Sequence, residues 1–315
     1  MLLIVGRGMT YRQQDTHTAL GLIAILLWGT TVAAYRGLAV HLGVFTAAAC
    51  VYTLGGGIGV LYLAAVERQL SRLLKQASGY LLAECLCVVL TIVGFSIAVG
   101  SVRDPRQVFT VGMINYLWPA LTLLLSIPLL RRRPRPLLLL AGTVLALAGV
   151  ALASLPPHHC SLAGFFAQWQ QAWLPYLLVF CAAVAWAVYS NLAHRWAAAM
   201  EVSGMPLFLL VSGMVMFVVR LFLHEQSHWS PSIAWGLLYT AIGPTLLAYV
   251  FWDIAMRKGR MVLLTSCSYL TPFLSTLALC AALRLAPGLA LWLACALIIA
   301  GAVVCNRSFA SVASE

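Results

Sequence analysis

Two prolines interrupt otherwise apolar stretches, one in NYLWPALT and one in SYLTPFLS. Proline has no N–H, and its ring crowds the carbonyl four residues back, so Pro119 frees the carbonyl of Asn115 and Pro272 frees that of Ser268. A carbonyl left without a donor in an apolar environment is costly, and such backbone is tolerated where it is buried in protein or lines a cavity. We therefore expect the two carbonyls either to line a cavity or to be buried against protein.

Two carboxylates, Glu84 and Asp253, also lie inside apolar stretches. Ionisable groups at that depth are costly and are candidates to carry protons or bind ligands. Arg257 follows Asp253 by four residues, which places the two on one helix face and allows an ion pair near the membrane interface. For Asp253 both interpretations stay open, and for Glu84 an interfacial role is favoured.

Aromatic side chains lie deep in several apolar stretches, where stacking and cation–π contacts would suit a flat solute. Core packing is the ordinary role of such a side chain, but Trp28 and Trp186 recur at equivalent places in the first and sixth stretches. We predict that the solute contacts deep aromatic residues and the two residues whose carbonyls the prolines free. These are Trp28, Asn115, Tyr116, Trp118, Trp186, Tyr189, Trp252, Ser268 and Tyr269. Pro119 and Pro272 are the candidate hinges. Glu84 and Asp253 are the candidate ionisable groups for coupling movement of the solute to movement of protons.

The sequence lacks the motifs of common enzymes and metal sites. There is no Gly-x-Ser-x-Gly, no His-Glu-x-x-His and no Gly-rich phosphate loop. His158, His159 and Cys160 match no usual zinc spacing, and the other eight cysteines lie in or beside apolar stretches, as small buried residues do. We expect no catalytic activity, no metal and no cofactor.

The elements that must position these residues are membrane helices. Of the 315 residues, 63% are hydrophobic and 9% are charged, whereas about 25% of a soluble domain is charged. A spanning helix needs about 20 apolar residues, and stretches of that kind are continuous here rather than alternating, which favours helices over a barrel. We predict ten spans, at 18–35, 44–66, 80–100, 108–130, 137–155, 173–192, 205–223, 233–256, 261–283 and 287–305.

The placement of the basic residues predicts the orientation. The net charge is +11, and with the N-terminus in the cytoplasm 14 of the 19 Lys and Arg residues fall on the inner side and 5 on the outer side. This bias indicates that both termini are cytoplasmic, and it explains the charge without a nucleic-acid partner. The opening residues look appended, and Met9 is an alternative natural start to Met1.

Ten spans divide into two halves of five, and an odd number of spans inverts the second half. The tetrad Tyr116, Leu117, Pro119 and Leu121 recurs 153 positions later as Tyr269, Leu270, Pro272 and Leu274. Weak internal symmetry of this kind is typical of inverted-repeat transporters. We predict a cytoplasmic segment at 1–16, a first repeat at 17–155, an outer loop at 156–172, a second repeat at 173–306 and a cytoplasmic tail at 307–315.

Small and polar residues form a stripe on each proline-bearing span, and each stripe either lines a pathway or packs against a neighbouring helix. The run at 55–59, GGGIG, has no polar partners and indicates packing alone. The two stripes consist of Gly112, Asn115, Pro119, Thr122 and Ser126 on the fourth span, and of Thr265, Ser268, Pro272 and Ser275 on the ninth.

Three segments carry a family resemblance: VGMINYLWPALT at 111–122, Gln107 before it, and AYVFWD at 248–253. Together with the ten-span pattern, they resemble the EamA type of the drug/metabolite transporter (DMT) superfamily, and within it the YddG-type aromatic amino acid exporters. Asp253 stands where that branch often has Asn. The resemblance covers nearly the whole chain.

The resemblance implies an inner-membrane exporter of aromatic amino acids, with other neutral amino acids as further candidate substrates. It would work by alternating access through a central cavity between the repeats. Its partners would be the small-molecule substrate and the lipid bilayer, and a monomer could house the whole pathway. One alternative is a transporter of the same superfamily for another metabolite or for a cationic drug such as a viologen. Others are a non-transporting membrane scaffold and an intramembrane enzyme.

Overall fold

The structure is a computed structural model that describes residues 11–76, 78–102, 107, 111–112, 114–154, 162–199, 202–282, 286 and 288–310. Helices make up most of this part of the chain, and it contains no strand. The prediction for His158, His159 and Cys160 lies outside the described residues, as does the start of the predicted outer loop. The rest of that loop is helical from Leu162.

Thirteen α-helices are described, with one π-helical segment, Ala241–Leu247, between α9 and α10. They are α1 Tyr11–Leu42, α2 Val44–Ala65, α3 Leu70–Lys75, α4 Ser78–Ser101, α5 Trp118–Leu130, α6 Pro136–Ser154, α7 Leu162–Arg195, α8 Met205–Leu221, α9 Pro231–Thr240, α10 Ala248–Lys258, α11 Met261–Cys267, α12 Leu270–Ala282 and α13 Leu289–Ala310.

Within the described residues, six helices are long and apolar enough to cross a membrane, or seven if the bent pair of α11 and α12 is one span. Three further apolar helices are shorter, namely Trp118–Leu130, Pro136–Val150 and Met205–Leu221. Each of these coincides with one of the ten predicted stretches, the second beginning one residue before its stretch. The all-helical membrane class is confirmed, and the full set of ten spans stays a prediction.

The helices break next to both prolines that the sequence singled out. Residues 114–115 are helical, a turn follows at Tyr116 and Leu117, and α5 begins again at Trp118. In the second half, α11 and α12 meet at an angle of 40°. A third proline, Pro244, lies inside the π-helical segment, and proline is a common cause of such local departures from the α-helix.

Close helix pairs hold the bundle together, and glycines allow some backbones to touch. A Cβ added at Gly56 of α2 would lie 2.2 Å from the Leu210 nitrogen of α8, and one at Gly301 of α13 would lie 2.5 Å from the Ala146 nitrogen of α6. Small residues permit this approach, so the packing role predicted for GGGIG is confirmed at Gly56. The most extensive contacts join α2 with α8, α6 with α13, α4 with α7, α1 with α10 and α12, and α5 with α7.

Candidate solute site

Trp28 of α1 lies at the centre of a group of aromatic rings contributed by three other helices. Its ring centroid is 6.3 Å from that of Trp118, 5.9 Å from that of Trp186, 5.4 Å from that of Tyr249 and 5.2 Å from that of Trp252. Three of the four pairs are edge-to-face and the fourth is tilted, which are geometries that aromatic quadrupoles favour. We call these five residues the aromatic cluster.

The outer members of the aromatic cluster also contact each other. The ring centroid of Trp118 lies 6.3 Å from that of Trp186 and 5.4 Å from that of Trp252. The ring centroid of Trp186 lies 5.3 Å from that of Tyr249. Trp118, Trp186 and Trp252 are all buried. Trp28 and Tyr249 are half-buried. The five rings therefore lie against one another between α1, α5, α7 and α10.

Sequence reasoning selected four of these five residues and did not select Tyr249. Tyr249 precedes Trp252 by three residues on α10, a spacing that puts both side chains on one helix face. That spacing was the available signal. The same spacing joins Trp186 and Tyr189 on α7, whose ring centroids are 5.0 Å apart, so Tyr189 adjoins the aromatic cluster.

Tyr116 and Tyr269 lie elsewhere. Both belong to a second apolar cluster, built around Phe273 and Ile298 where α5, α6, α12 and α13 meet. Tyr269 is almost fully buried there. The structure therefore brings the two recurring tyrosines into one environment, but that environment is not the surroundings of Trp28.

The carbonyl that Pro272 was expected to free already has a partner. The N–H of Thr271 donates to the Ser268 carbonyl at 3.0 Å, and the N–H of Tyr269 donates to the Ser266 carbonyl at 3.4 Å. The helix tightens to bonds between residues three apart where proline removes the usual donor, as helix ends often do. The expectation that Ser268 presents a carbonyl without a donor is therefore wrong.

The polar stripe on α5 packs against α7 over at least one turn. The amide nitrogen of Asn191 donates to the Thr122 carbonyl at 3.0 Å and to the Ala187 carbonyl at 2.9 Å. The Thr122 hydroxyl donates back to the Trp118 carbonyl at 2.7 Å. Both Thr122 and Asn191 are fully buried, so this part of the stripe is a helix contact, and Asn191 is a residue that sequence reasoning missed.

Both carboxylates singled out in the sequence converge on Arg257. The Arg257 Nη2 lies 2.5 Å from Glu84 Oε2, and the Arg257 Nε lies 2.9 Å from Asp253 Oδ1 and 3.1 Å from Oδ2. Glu84 and Asp253 are fully buried, and the Arg257 side chain is 4% exposed. The predicted Asp253–Arg257 pair is confirmed, but it is buried in protein.

Tyr189 joins this charged group to the aromatic cluster. Its hydroxyl donates to Asp253 Oδ1, while its ring contacts Trp186. We call Glu84, Tyr189, Asp253 and Arg257 the charged cluster. The Glu84–Arg257 contact links residues 173 positions apart, and it is the part that no local pattern in the sequence could indicate.

Comparison with known proteins assigns this architecture to a family. A model of the EamA-like transporter family matches the chain twice, at residues 17–155 and 173–307. The chain belongs to the EamA-like transporter family. This family is the EamA type of the DMT superfamily that the sequence motifs resemble.

Individual EamA relatives match over nearly their whole length. The aromatic amino acid exporter YddG of Escherichia coli K12 is 30% identical over 290 residues, which cover 91% of this chain and 96% of the relative. The YddG exporter of Ancylobacter novellus is 31% identical over 294 residues, covering 92% and 97%. A solved crystal structure superposes with a TM-score of 0.79 at 28% identity, covering 94% of this chain and 99% of that one.

These matches define the coarse function of the chain. It is a multi-pass membrane protein of a transporter family, and the relatives named above are bacterial exporters. The family and the relatives are transporters rather than enzymes, which agrees with the expectation from the missing catalytic motifs.

Proposed function

We propose that this chain exports aromatic amino acids across the bacterial inner membrane, with other neutral amino acids as secondary substrates. The observation that carries the proposal is the aromatic cluster, in which Trp28 and Trp118 from the first half meet Trp186 and Trp252 from the second. Indole and phenyl rings suit a flat aromatic solute through stacking. The names of the relatives favour the same substrate class.

The proposed architecture is a pair of inverted five-helix repeats, at 17–155 and 173–306. The helix contacts are reciprocal in the way that a twofold relation requires. α1 packs on α10 and α12 of the second half, and its counterpart α7 packs on α4 and α5 of the first half. The double match of the family model supports the same division.

The proposed mechanism is alternating access, with the solute held between the two repeats. Trp28 on α1 and Trp186 on α7 are equivalent positions, and their rings are 5.9 Å apart. Helix breaks beside Pro119 and Pro272 would act as hinges, because a broken helix can bend without losing further hydrogen bonds. Bending would part the aromatic cluster on one side at a time.

The remaining site residues have supporting roles in this proposal. The Asn115 carbonyl, four residues before Pro119, would accept from the substrate ammonium. Tyr116, Ser268 and Tyr269 would line the path next to the helix breaks. We further propose a monomer with both termini in the cytoplasm, as the basic residues predict.

Transport of labelled tryptophan tests the proposal. Proteoliposomes loaded with tryptophan should lose it through the wild-type protein, and W186A should slow the flux about tenfold, equivalent to about 1.4 kcal/mol of lost stabilisation. P119A should slow it as well, because it restores a backbone donor at the break. W235A is the matched control, since Trp235 is 72% exposed and lies outside the aromatic cluster.

Unchanged flux in both W186A and P119A would remove the site assignment and leave the family assignment intact. Competition with a nucleotide sugar, a viologen and a panel of amino acids would identify the substrate class. If a viologen competes and tryptophan does not, the chain is a cationic drug exporter, and cation–π contact with the same rings would be the recognition mode.

A further inference from the structure

The charged cluster is unbalanced in a way that ordinary ion pairs are not. Two carboxylates face one guanidinium, so the fully ionised cluster has a net charge of −1. Glu84 and Asp253 have no exposed surface. An uncompensated charge in such a place is strongly disfavoured, and a proton is the simplest neutralising partner.

The hydrogen bonds distinguish the two carboxylates. Asp253 accepts from the Tyr189 hydroxyl at Oδ1 and from the Arg257 Nε at both oxygens. Glu84 accepts only at Oε2, from the Arg257 Nη2, and its Oε1 is buried with no hydrogen-bond partner in the described chain. Donors stabilise a carboxylate in its ionised form, so Asp253 is the better anion and Glu84 is the better acid.

The surroundings of Glu84 supply few other titratable groups. Asp253 and Arg257 face it from α10, Tyr189 faces it from α7, and Cys87 lies near it on its own helix. In the described part of the chain, α2 and α8, which also pack on α4, contribute no charged group that acts on Glu84. The balance of charge at Glu84 is therefore set by Asp253 and Arg257.

We propose that Glu84 holds one proton in this packed arrangement and releases it when α4 and α10 separate, so that transport exchanges a proton for the solute. This inference rests on the proposed function for its link to transport. When the helices separate, Arg257 and Asp253 stay together on α10 as a neutral pair. Glu84 remains on α4, where entering water would stabilise its ionised form.

Tyr189 gives the exchange a physical connection to the solute. Its ring contacts Trp186 and its hydroxyl bonds to Asp253. A solute that displaces Trp186 would move Tyr189 and so remove a donor from Asp253. The charge balance that keeps Glu84 protonated would change at the same moment.

Infrared difference spectroscopy tests the protonation without any solute. In the purified full-length chain at neutral pH, we expect the carbonyl band of a protonated carboxylic acid, shifted in D₂O and lost in E84Q. D253N should also lose the band, because the cluster would then be neutral with Glu84 ionised. E67Q is the matched control, since Glu67 is exposed on the loop after α2 and its removal should leave the band. Absence of the band in wild type, or its persistence in E84Q, would overturn the proposal.

Proteoliposomes test the exchange itself. When the solution outside the proteoliposomes is more acidic than the lumen, protons enter as tryptophan leaves. This gradient should speed tryptophan efflux several-fold in wild type and in E67Q. In E84Q the ratio of the rates with and without the gradient should fall to one. A wild type that transports tryptophan with no response to the gradient refutes the exchange. If tryptophan does not move at all, the proposed substrate is wrong, and the infrared result still decides whether Glu84 holds a proton.

Discussion

Removing Arg257 should destabilise the protein far more than removing an exposed arginine. In R257M the two buried carboxylates lose their shared cation, and Asp253 keeps only the Tyr189 hydroxyl as a donor. Breaking a buried ion pair by deleting one partner costs about 3–5 kcal/mol. For a chain of this size, about 2 °C per kcal/mol gives a fall in Tm of about 6–10 °C.

A second variant separates lost charge balance from lost packing. The triple variant E84Q/D253N/R257M removes all three ionisable side chains, so no charge is left buried without its partner. It should therefore recover most of the Tm that R257M loses. Intrinsic tryptophan fluorescence of the purified protein during heating would measure the Tm of each variant.

R260M is the matched control for R257M. Arg260 pairs with Asp15 at 2.7 Å, but both side chains are about half exposed. Exposed pairs contribute about 0–1 kcal/mol, so the Tm of R260M should fall by at most about 2 °C. The argument from buried charge is refuted if the Tm of R257M falls no further than that of R260M. It is also refuted if the Tm of the triple variant is no higher than that of R257M.

Two further predictions concern stability. G56A should destabilise the protein by about 1–3 kcal/mol through overpacking, because the added Cβ would lie 2.2 Å from a backbone nitrogen. A Cβ at Gly57 would have nothing within 4 Å, so G57A should be neutral or stabilising. Equal Tm values for G56A and G57A would contradict the close contact at Gly56. E225A should cost about 1–2 kcal/mol, because the Glu225 carboxylate accepts from the Phe45 and Thr46 N–H groups at 3.0 and 2.8 Å and so caps α2. The matched variant E67A should leave the Tm unchanged, and an equal fall in both would show that the cap contributes nothing.

Sequence patterns singled out two pairs of residues that meet in this structure, one pair within a helix and one pair on different helices. Asp253 and Arg257 are four residues apart, so helix geometry alone brings them together. Trp28 and Trp186 were selected because they recur, and the structure brings their rings into contact. In each case the information needed was a spacing along the sequence.

Other contacts between distant helices were beyond such patterns. Glu84 meets Arg257 only because the fold brings α4 within reach of a long side chain from α10, and neither residue has a local signal for the other. The hydrogen bond from Thr271 to Ser268 was missed for a different reason. A helix that loses one donor at a proline can tighten and recover another, so the rule that proline frees a carbonyl describes only an undistorted helix.

The close backbone contacts at Gly56 and Gly301 limit how the two halves of this chain can move. α2 and α6 of the first half are each clamped to a helix of the second half, α8 and α13. These contacts oppose sliding of one half past the other as a rigid block. Under the alternating access proposed above, the helices between these contacts would have to move, and covalent cross-links placed across α6 and α13 should leave transport unimpaired.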